Sequence, residues 1–185
     1  MNRRKIEKGW SLFLDRDGVI NTQIPDDYVI SLEQFSFIPG VLDAFQILSG
    51  YFGRIVVVSN QQGIGKGLMT EAILQIIHTH MISEVEVAGG RIDKVYFCPE
   101  LRESHSFMRK PNIGMGLLAR KNFPDIRYTN SVMVGDSISD MRFGKRLGML
   151  TVFISDDLNE IRSHASLIDQ AFPDLYTFSE SLFTR

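Results

Sequence analysis

Five short runs of apolar, often β-branched residues recur along the chain, and each ends in a polar or glycine-containing segment. They occupy residues 10–14, 54–58, 92–97, 131–134 and 150–154. Runs of this length that are apolar nearly throughout are typical of strands buried on both faces of a parallel sheet. The alternation of such strands with helical segments predicts a three-layer, Rossmann-like α/β/α fold around a mainly parallel sheet. We expect a single domain over residues 1–185.

Apolar residues at helical spacing lie between these runs. Four helices are predicted, and they begin near Val41, Thr70, Pro111 and Met141. Residues 28–30 are expected to form a short extended piece within a long loop, and residues 171–172 with the patch at 175–182 a packing edge. Long loops in compact domains are often functional, so the loop after the first strand is expected to cover a site.

Composition limits the classes of function. Twenty basic and 22 acidic side chains give a formal net charge of −2, which indicates no general attraction to nucleic acid or to an anionic membrane. We find no stretch apolar and long enough to span a bilayer. Cys98 is the only cysteine, which excludes an intrachain disulfide and suits a reducing cytoplasm. We expect a cytoplasmic monomer.

The first apolar run stops at the segment Asp15-Arg16-Asp17-Gly18. Two residues separated by one other point to the same side of an extended chain, so the two carboxylates are expected about 7 Å apart. Gly18 permits a tight turn after them. Ligands of open parallel sheets bind beyond the carboxyl ends of the strands, so both carboxylates stand where a ligand is expected. The alternative interpretation is a solvated acidic turn.

Polar side chains follow the next strands as well, and the carboxyl ends of parallel strands meet at one edge of a sheet. They are Ser59 and Asn60, then Arg109 and Lys110 beyond a loop, and finally Asp136 and Asp140. Crowded carboxylates require a cation, and oxygen ligands without imidazole or thiolate favour Mg²⁺. A metal, a lysine and hydroxyl or amide donors together bind phosphate oxygens. In such a site Asp15 is suited to attack phosphorus, and Asp17 to transfer protons.

Two further features are interpreted as structural. The glycine-rich segment at residues 63–67 lacks the spacing of a phosphate-binding P-loop, and Leu68 stands where that motif requires Ser or Thr. His78 and His80 lie two residues apart on a predicted helix, so they point to different sides and cannot share a metal ion. We expect both histidines at the surface or its boundary.

Four segments together resemble the motifs of the haloacid dehalogenase superfamily of phosphatases. They are DRDG at residues 15–18, VVVSN at 56–60, RKP at 109–111 and GDSISD at 135–140. The longer stretches DRDGVIN, SNQQGIGKG and RKPNIGM are similar to the branch of heptose bisphosphate phosphatases and histidinol-phosphatase domains. The resemblance covers roughly residues 10–155, and its specificity lies in the ordered set rather than in any one motif.

The resemblance implies a role for each motif residue. Asp15 is the expected nucleophile, and Asp17 the expected acid and base. Ser59 and Lys110 are expected to hold the transferring phosphoryl group. The implied reaction is hydrolysis of a phosphomonoester through an aspartyl-phosphate intermediate.

The same resemblance implies a Mg²⁺ cofactor. Asp15 and Asp136 are expected to ligate it through their carboxylates, and Asp17 through its backbone carbonyl. Asp140 is expected to support the site from behind these ligands. Oxygen ligands of this kind suit Mg²⁺.

The implied partner is a small phosphorylated metabolite, with a sugar bisphosphate such as D-glycero-D-manno-heptose 1,7-bisphosphate as the first candidate. Asn60 and Arg109 are expected to contact it. The branch has a small cap or none, so the loops after Asn21 and around Glu100 are expected to shape the pocket. Histidinol phosphate or another small phosphomonoester is the alternative substrate.

One departure from the branch is evident. Most of its members carry a zinc-binding loop, with Cys-x-His after the third strand and Cys-x-Cys before RKP. Here Cys98 and Glu100 occupy the positions of Cys-x-His, and Ser106 and Met108 occupy those of Cys-x-Cys. Cys98, even with nearby His105, leaves half of a four-ligand zinc site empty, so we expect no structural zinc.

Two alternatives come from other functional classes. A signalling receiver also places acidic residues, a hydroxyl and a lysine on an α/β sheet, but its phospho-accepting aspartate follows the third strand. No aspartate ends the run at residues 92–97 here. An inactive sugar-phosphate binding protein is the second alternative, and the completeness of the motifs argues against it.

Overall fold

The computed structural model describes residues 5–25 and 27–184, and within them six strands form one sheet. The strands are β1 (Ser11–Leu14), β2 (Arg54–Asn60), β3 (Lys94–Cys98), β4 (Ser131–Gly135), β5 (Leu150–Ile154) and β6 (Gln170–Phe172). Their order is β3-β2-β1-β4-β5-β6, and every neighbouring pair is parallel. The five predicted strands and the parallel sheet are confirmed, and β6 is an edge strand that the sequence did not reveal.

Helices connect the strands. In the described part of the chain they are α1 (Val41–Tyr51), α2 (Gln62–Gly65), α3 (Glu71–Val87), α4 (Gly114–Asn122), α5 (Ile138–Leu147), α6 (Leu158–Ser163) and α7 (Leu175–Ser181). Short 3₁₀ turns lie at Leu32–Gln34, Arg102–Ser104 and Tyr128–Asn130. The four predicted helices correspond to α1, α3, α4 and α5.

Several local predictions were wrong. Helix α4 begins at Gly114 rather than near Pro111. Helix α5 begins at Ile138, before the predicted Met141, because a reciprocal capping box at Ser137 starts it earlier. Residues 28–30 form no strand. The expected packing edge at residues 175–182 is confirmed, and it is the helix α7, whose Leu175 and Phe178 are buried in the core.

The sheet separates two apolar cores, and side-chain alternation along β1 shows the division. Leu12 and Leu14 pack into a core shared with buried residues of α1, α3 and α7. Phe13 points to the other face, where it packs with buried residues of α4 and α5. The predicted three-layer α/β/α architecture is therefore confirmed.

The position of β1 and β4 determines where a ligand can bind. After β1 the chain adds β2 and β3 on one side, and then returns to place β4 on the other side of β1. The carboxyl ends of β1 and β4 therefore border the crevice at the topological switch point, which is the usual ligand site of such sheets. Among the described residues, no helix has the length and hydropathy required to cross a membrane.

Candidate active site

Asp15 and Asp136 lie next to each other at the carboxyl edge of the sheet. Leu14 is in register with Val134, and the Asp15 N–H donates to the Val134 carbonyl at 3.0 Å. The two central strands thus bring both carboxylates to the switch-point crevice. Gly18 has a φ of 78°, and a Cβ there would lie 1.8 Å from Asp136 Oδ2. Glycine is therefore required at this turn.

Lys110 lies between the carboxylates of Asp15 and Asp140. Its Nζ lies 3.0 Å from Asp15 Oδ1, 2.6 Å from Asp140 Oδ1 and 2.6 Å from the Val58 carbonyl oxygen. The contacts with the two carboxylates are ion pairs, and the Val58 carbonyl accepts a hydrogen bond. Burial lowers the pKa of Lys110, but the charges of Asp140 and Asp15 outweigh burial and raise it above its ordinary value. Lys110 is therefore a buried cation, and its charged form is stabilised by the two carboxylates.

Asp140 is buried, and its two oxygens contact different partners, Ser137 and Lys110. Its Oδ2 accepts from the Ser137 hydroxyl at 2.6 Å and from the Ser137 N–H at 3.2 Å, so it caps α5 while its other oxygen meets Lys110. A Cβ at Gly135 would lie 2.3 Å from Asp140 Cβ. The glycine of the GDSISD segment is thus required for close packing.

Carboxylate crowding favours a cation. Asp15, Asp136 and Asp140 each offer an oxygen, and these atoms lie within 4.8 Å of one another. Burial and the charge of Asp140 raise the pKa of Asp15 well above its usual range. The same causes raise the pKa of Asp136 to about 7. Bringing a cation to these oxygens would stabilise their ionised forms.

The charge balance points to a divalent ion. With Asp17, the site holds four carboxylates. Two buried cations, Lys110 and Arg16, form ion pairs with them. Two negative charges are left when all groups are ionised. A cation of charge two that prefers oxygen ligands, such as Mg²⁺, fits both this charge and this donor set.

Asp17 is held by a dense set of donors. Its Oδ1 accepts from Arg16 Nη2 at 2.7 Å and from Asn21 Nδ2 at 3.0 Å, and its Oδ2 accepts from Gln61 Nε2 at 2.8 Å. Burial raises the pKa of Asp17, but the Arg16 charge and these hydrogen bonds outweigh burial and lower it overall. The carboxylate is therefore fixed in place and favoured in its ionised form.

The residues at the carboxyl end of β2 support the site in two ways. Gln61 Nε2 donates to Ser59 Oγ at 2.8 Å as well as to Asp17, so it connects the two side chains. Asn60 makes a reciprocal pair with the Lys110 backbone: its Nδ2 donates to the carbonyl at 3.1 Å, and its Oδ1 accepts from the N–H at 3.0 Å. Asn60 thereby fixes the backbone that presents Lys110.

A cavity of about 420 Å³ opens above these groups. Asp15, Asp17, Ser59 and Asp136 lie in its lining, together with residues of the loop after β1 such as Tyr28. The sequence prediction that this loop borders the site is confirmed for its described residues. Asp26 of the same loop lies outside the described part of the chain.

A second cavity of about 450 Å³ adjoins the first and shares Asn60 and Ser139 with it. Arg102, Arg109 and Arg142 contribute to its lining. Arg109 Nη1 donates to the Glu100 carbonyl at 3.2 Å, and within residues 5–25 and 27–184 none of the three arginines forms an ion pair with a carboxylate. The cavity is thus strongly cationic.

The structure brings the predicted site residues together, but they do not all border the same cavity. Asp15, Asp17, Ser59 and Asp136 border the first cavity, and Asp140 lies behind it under Lys110. Lys110 borders only the second cavity among the cavities described, and so does Arg109. Arg109 lies ahead of α4, outside the first turn of that helix.

Three further residues of the site were not predicted: Arg16, Asn21 and Gln61, which all donate to Asp17. Arg16 and Gln61 have small exposed fractions of 0% and 2% despite their polarity. The prediction for His78 was wrong: it is 2% exposed, and its Nε2 lies 3.4 Å from Arg16 Nη1. Burial of polar side chains identifies these residues in the structure. The sequence does not reveal that burial, because it depends on contact between helix α3 and the distant loop after β1.

A parallel α/β sheet with four carboxylates and a buried lysine at its switch point defines a phosphatase of the haloacid dehalogenase class. The comparisons with known proteins agree. The family described as HAD-hydrolase-like matches residues 107–176. A D-glycero-alpha-D-manno-heptose-1,7-bisphosphate 7-phosphatase of Mycobacterium bovis is 36% identical over 170 residues, which cover 92% of this chain and 90% of that protein.

Two further relatives are similar along most of their length. A D-glycero-beta-D-manno-heptose-1,7-bisphosphate 7-phosphatase of Escherichia coli is 36% identical over 140 residues, covering 71% of each chain. The crystal structure of D,D-heptose 1,7-bisphosphate phosphatase from B. bronchiseptica, complexed with magnesium and phosphate, superposes with a TM-score of 0.85 at 26% identity, covering 95% of this chain and 98% of that one. The chain therefore belongs to the family of heptose-1,7-bisphosphate 7-phosphatases within the haloacid dehalogenase-like hydrolases.

Proposed function

We propose that the protein is a Mg²⁺-dependent phosphatase that removes one phosphoryl group from a sugar bisphosphate through an aspartyl-phosphate intermediate. The observation that supports this most is the contact of Lys110 with both Asp15 and Asp140, beside Asp136 at the carboxyl ends of the strands. A lysine and crowded carboxylates at one point suit the binding and transfer of a phosphoryl group.

In the first step, a carboxylate oxygen of Asp15 attacks phosphorus and the bond from phosphorus to the sugar oxygen breaks. Asp17 in its protonated form, which its lowered pKa makes the minor form of the free site, gives its proton to that oxygen, so the sugar leaves as an alcohol. Lys110 and Ser59 bind oxygens of the transferring group, and Lys110 is already held at 3.0 Å from Asp15. The product of this step is a phosphoryl group bonded to Asp15.

In the second step, the ionised Asp17 takes a proton from a water molecule, and the resulting hydroxide attacks the phosphoryl group. The bond to Asp15 breaks, and inorganic phosphate leaves. The lowered pKa of Asp17, caused by Arg16 and by its hydrogen-bond donors against the effect of burial, favours the basic form required here.

The carboxylates of Asp15 and Asp136 and the backbone carbonyl of Asp17 are the proposed Mg²⁺ ligands, with Asp140 behind them. The raised pKa of Asp15 and Asp136, caused first by burial, fits a site that ionises fully when a cation is present. When bound, Mg²⁺ supplies positive charge that neutralises the phosphate oxygens.

The second cavity supports a substrate with two anionic groups. Asn60 and Ser139 line both cavities, so a molecule bound at Asp15 is close to the cavity of Arg102, Arg109 and Arg142. A rigid guanidinium suits a phosphate, and Arg109 is the one next to Lys110 in sequence. Together with the named substrates of the relatives, this favours D-glycero-D-manno-heptose 1,7-bisphosphate, and we propose a cytoplasmic enzyme that acts on it.

The direct test is phosphate release from the α and β anomers of this bisphosphate, compared with histidinol phosphate and p-nitrophenyl phosphate, each with Mg²⁺ and with a chelator. We expect the highest kcat/KM on a heptose bisphosphate and loss of activity with the chelator. A single phosphorylation without turnover would identify a receiver, and binding without hydrolysis an inactive binding protein. Preference for histidinol phosphate would reassign the substrate and leave the chemistry intact.

Substitution Arg109→Ala tests the second cavity. If Arg109 binds the distal phosphate, the variant should lose about 2–5 kcal/mol in kcat/KM on the bisphosphate and much less on p-nitrophenyl phosphate, which has no second anion. Arg127→Ala is the control, because Arg127 precedes β4 and therefore lies at the amino ends of the strands, whereas the site lies at their carboxyl ends. Equal losses on both substrates would move Arg109 to the reacting phosphoryl group, and no loss on either would leave it without a role in binding.

Metal analysis tests the loop between β3 and α4. Cys98 is buried at the end of β3, whereas His105 is exposed in the loop. We expect elemental analysis of purified protein to find zinc well below one atom per chain. One zinc per chain, retained through dialysis against a weak chelator, would contradict this prediction and require other ligands in the loop.

A further inference from the structure

Arg16 is a cation with no access to solvent: its exposed fraction is 0%. A buried charge requires partners for all its polar groups. Its Nη2 and Nε donate to Asp17 at 2.7 and 3.2 Å, and its Nη1 lies 3.4 Å from His78 Nε2. The planar guanidinium thus connects the carboxylate on one side with an imidazole on the other.

The direction of the contact between Arg16 and His78 follows from chemistry. A guanidinium has only N–H donors, so His78 Nε2 must be the acceptor, with its lone pair toward Arg16. Burial and the charge of Arg16 lower the pKa of His78 to about 3, which keeps the imidazole neutral in agreement with this geometry. His78 therefore acts as a neutral acceptor.

The placement of His78 is rigid. It lies near the middle of α3, is 2% exposed, and packs at a ring-centroid distance of 5.9 Å against Phe97 in a T-shaped arrangement. Ile77 next to it is fully buried in the core beneath the sheet. An acceptor fixed in this way determines the plane of the Arg16 guanidinium, because a planar group anchored at both ends cannot rotate freely.

We propose that His78 is a positioning residue that acts through Arg16 to hold the Asp17 carboxylate toward the leaving oxygen of the substrate. This inference rests on the proposed role of Asp17 as the acid of the first step. His78 touches neither substrate nor reacting atoms. Its effect is transmitted by orientation alone, and small misplacements of a catalytic group are costly to rate.

The test compares two substitutions at one position. His78→Leu introduces an apolar side chain of similar size and removes the acceptor. His78→Gln offers an amide oxygen that can accept from Arg16 in place of Nε2. His80→Leu is the matched control, because His80 lies on the same helix and contacts Phe35 and Phe37 instead.

The readout is kcat/KM on two substrates measured on the same sample: heptose bisphosphate, whose alcohol needs protonation, and p-nitrophenyl phosphate, whose phenolate does not. The ratio of the two values does not depend on the fraction of folded enzyme. We expect His78→Leu to lower the ratio about tenfold, and His78→Gln and His80→Leu to keep it within about threefold of wild type.

Each outcome decides between specific alternatives. An unchanged ratio in His78→Leu, when Asp17→Asn changes it, would overturn the inference and keep the proposed function. Equal reduction in His78→Leu and His78→Gln would also overturn it, because the acceptor would not be the cause. An unchanged ratio in Asp17→Asn itself would instead reject the acid role on which the inference rests.

Discussion

Asp15→Asn is expected to reduce kcat on every substrate by at least about three orders of magnitude, because covalent attack and metal ligation fail together. Asparagine has nearly the same shape, and its side-chain oxygen can still accept from Lys110, which lies 3.0 Å from Asp15 in the wild type. The loss would therefore reflect missing charge and nucleophilicity rather than a changed backbone. Steady-state phosphate release, together with the absence of phosphorylated protein after acid quench, measures it.

Thermal unfolding provides the control for this variant. The folded-state pKa of Asp15 is raised, chiefly by burial, so its ionised form opposes folding at neutral pH in the absence of metal. The stability linked to the protonated carboxyl is present at low pH and is lost as pH rises through the raised pKa. We therefore expect metal-free Asp15→Asn to unfold at a temperature no lower than wild type near pH 7. Asp43→Asn, an exposed substitution on α1, should change neither property, and activity of Asp15→Asn within tenfold of wild type would exclude Asp15 as the nucleophile.

The fold was predictable where hydrophobic pattern and burial coincide. The runs that became β1, β2, β4 and β5 are buried along nearly their whole length, so their composition alone distinguishes them from loops. By contrast, β6 has three residues, all only partly buried, and it pairs only with β5 at the sheet edge. A strand that short carries too little periodicity to detect.

The site was predictable for a topological reason. Parallel strands place their carboxyl ends at one edge, so the polar residues at the ends of β1, β2 and β4 had to meet there. The residues that support them were not predictable in the same way. His78 is 62 positions from Arg16, and their contact exists only because α3 packs against the face of the sheet beneath the site. No local pattern reveals a contact over that separation.

Asp17→Asn is expected to lower kcat/KM on a heptose bisphosphate by about 10²–10⁴-fold, the usual contribution of a positioned acid. The substituted asparagine would retain an oxygen to accept from Arg16 Nη2, which lies 2.7 Å from Asp17 Oδ1 in the wild type. It would supply no proton to the sugar oxygen. On p-nitrophenyl phosphate the loss of kcat/KM should be much smaller, because that leaving group departs without protonation.

The second step makes the prediction for Asp17→Asn sharper. Attack on p-nitrophenyl phosphate needs no acid, but hydrolysis of the phosphorylated Asp15 needs the Asp17 base, so the variant should accumulate phosphoenzyme. Stopped-flow measurement should then show a burst of p-nitrophenolate close to one equivalent per active site, followed by slow turnover. If both substrates lost kcat/KM equally and no burst appeared, Asp17 would be a ligand or a structural carboxylate, and the proton would have to come from another group in the cavity.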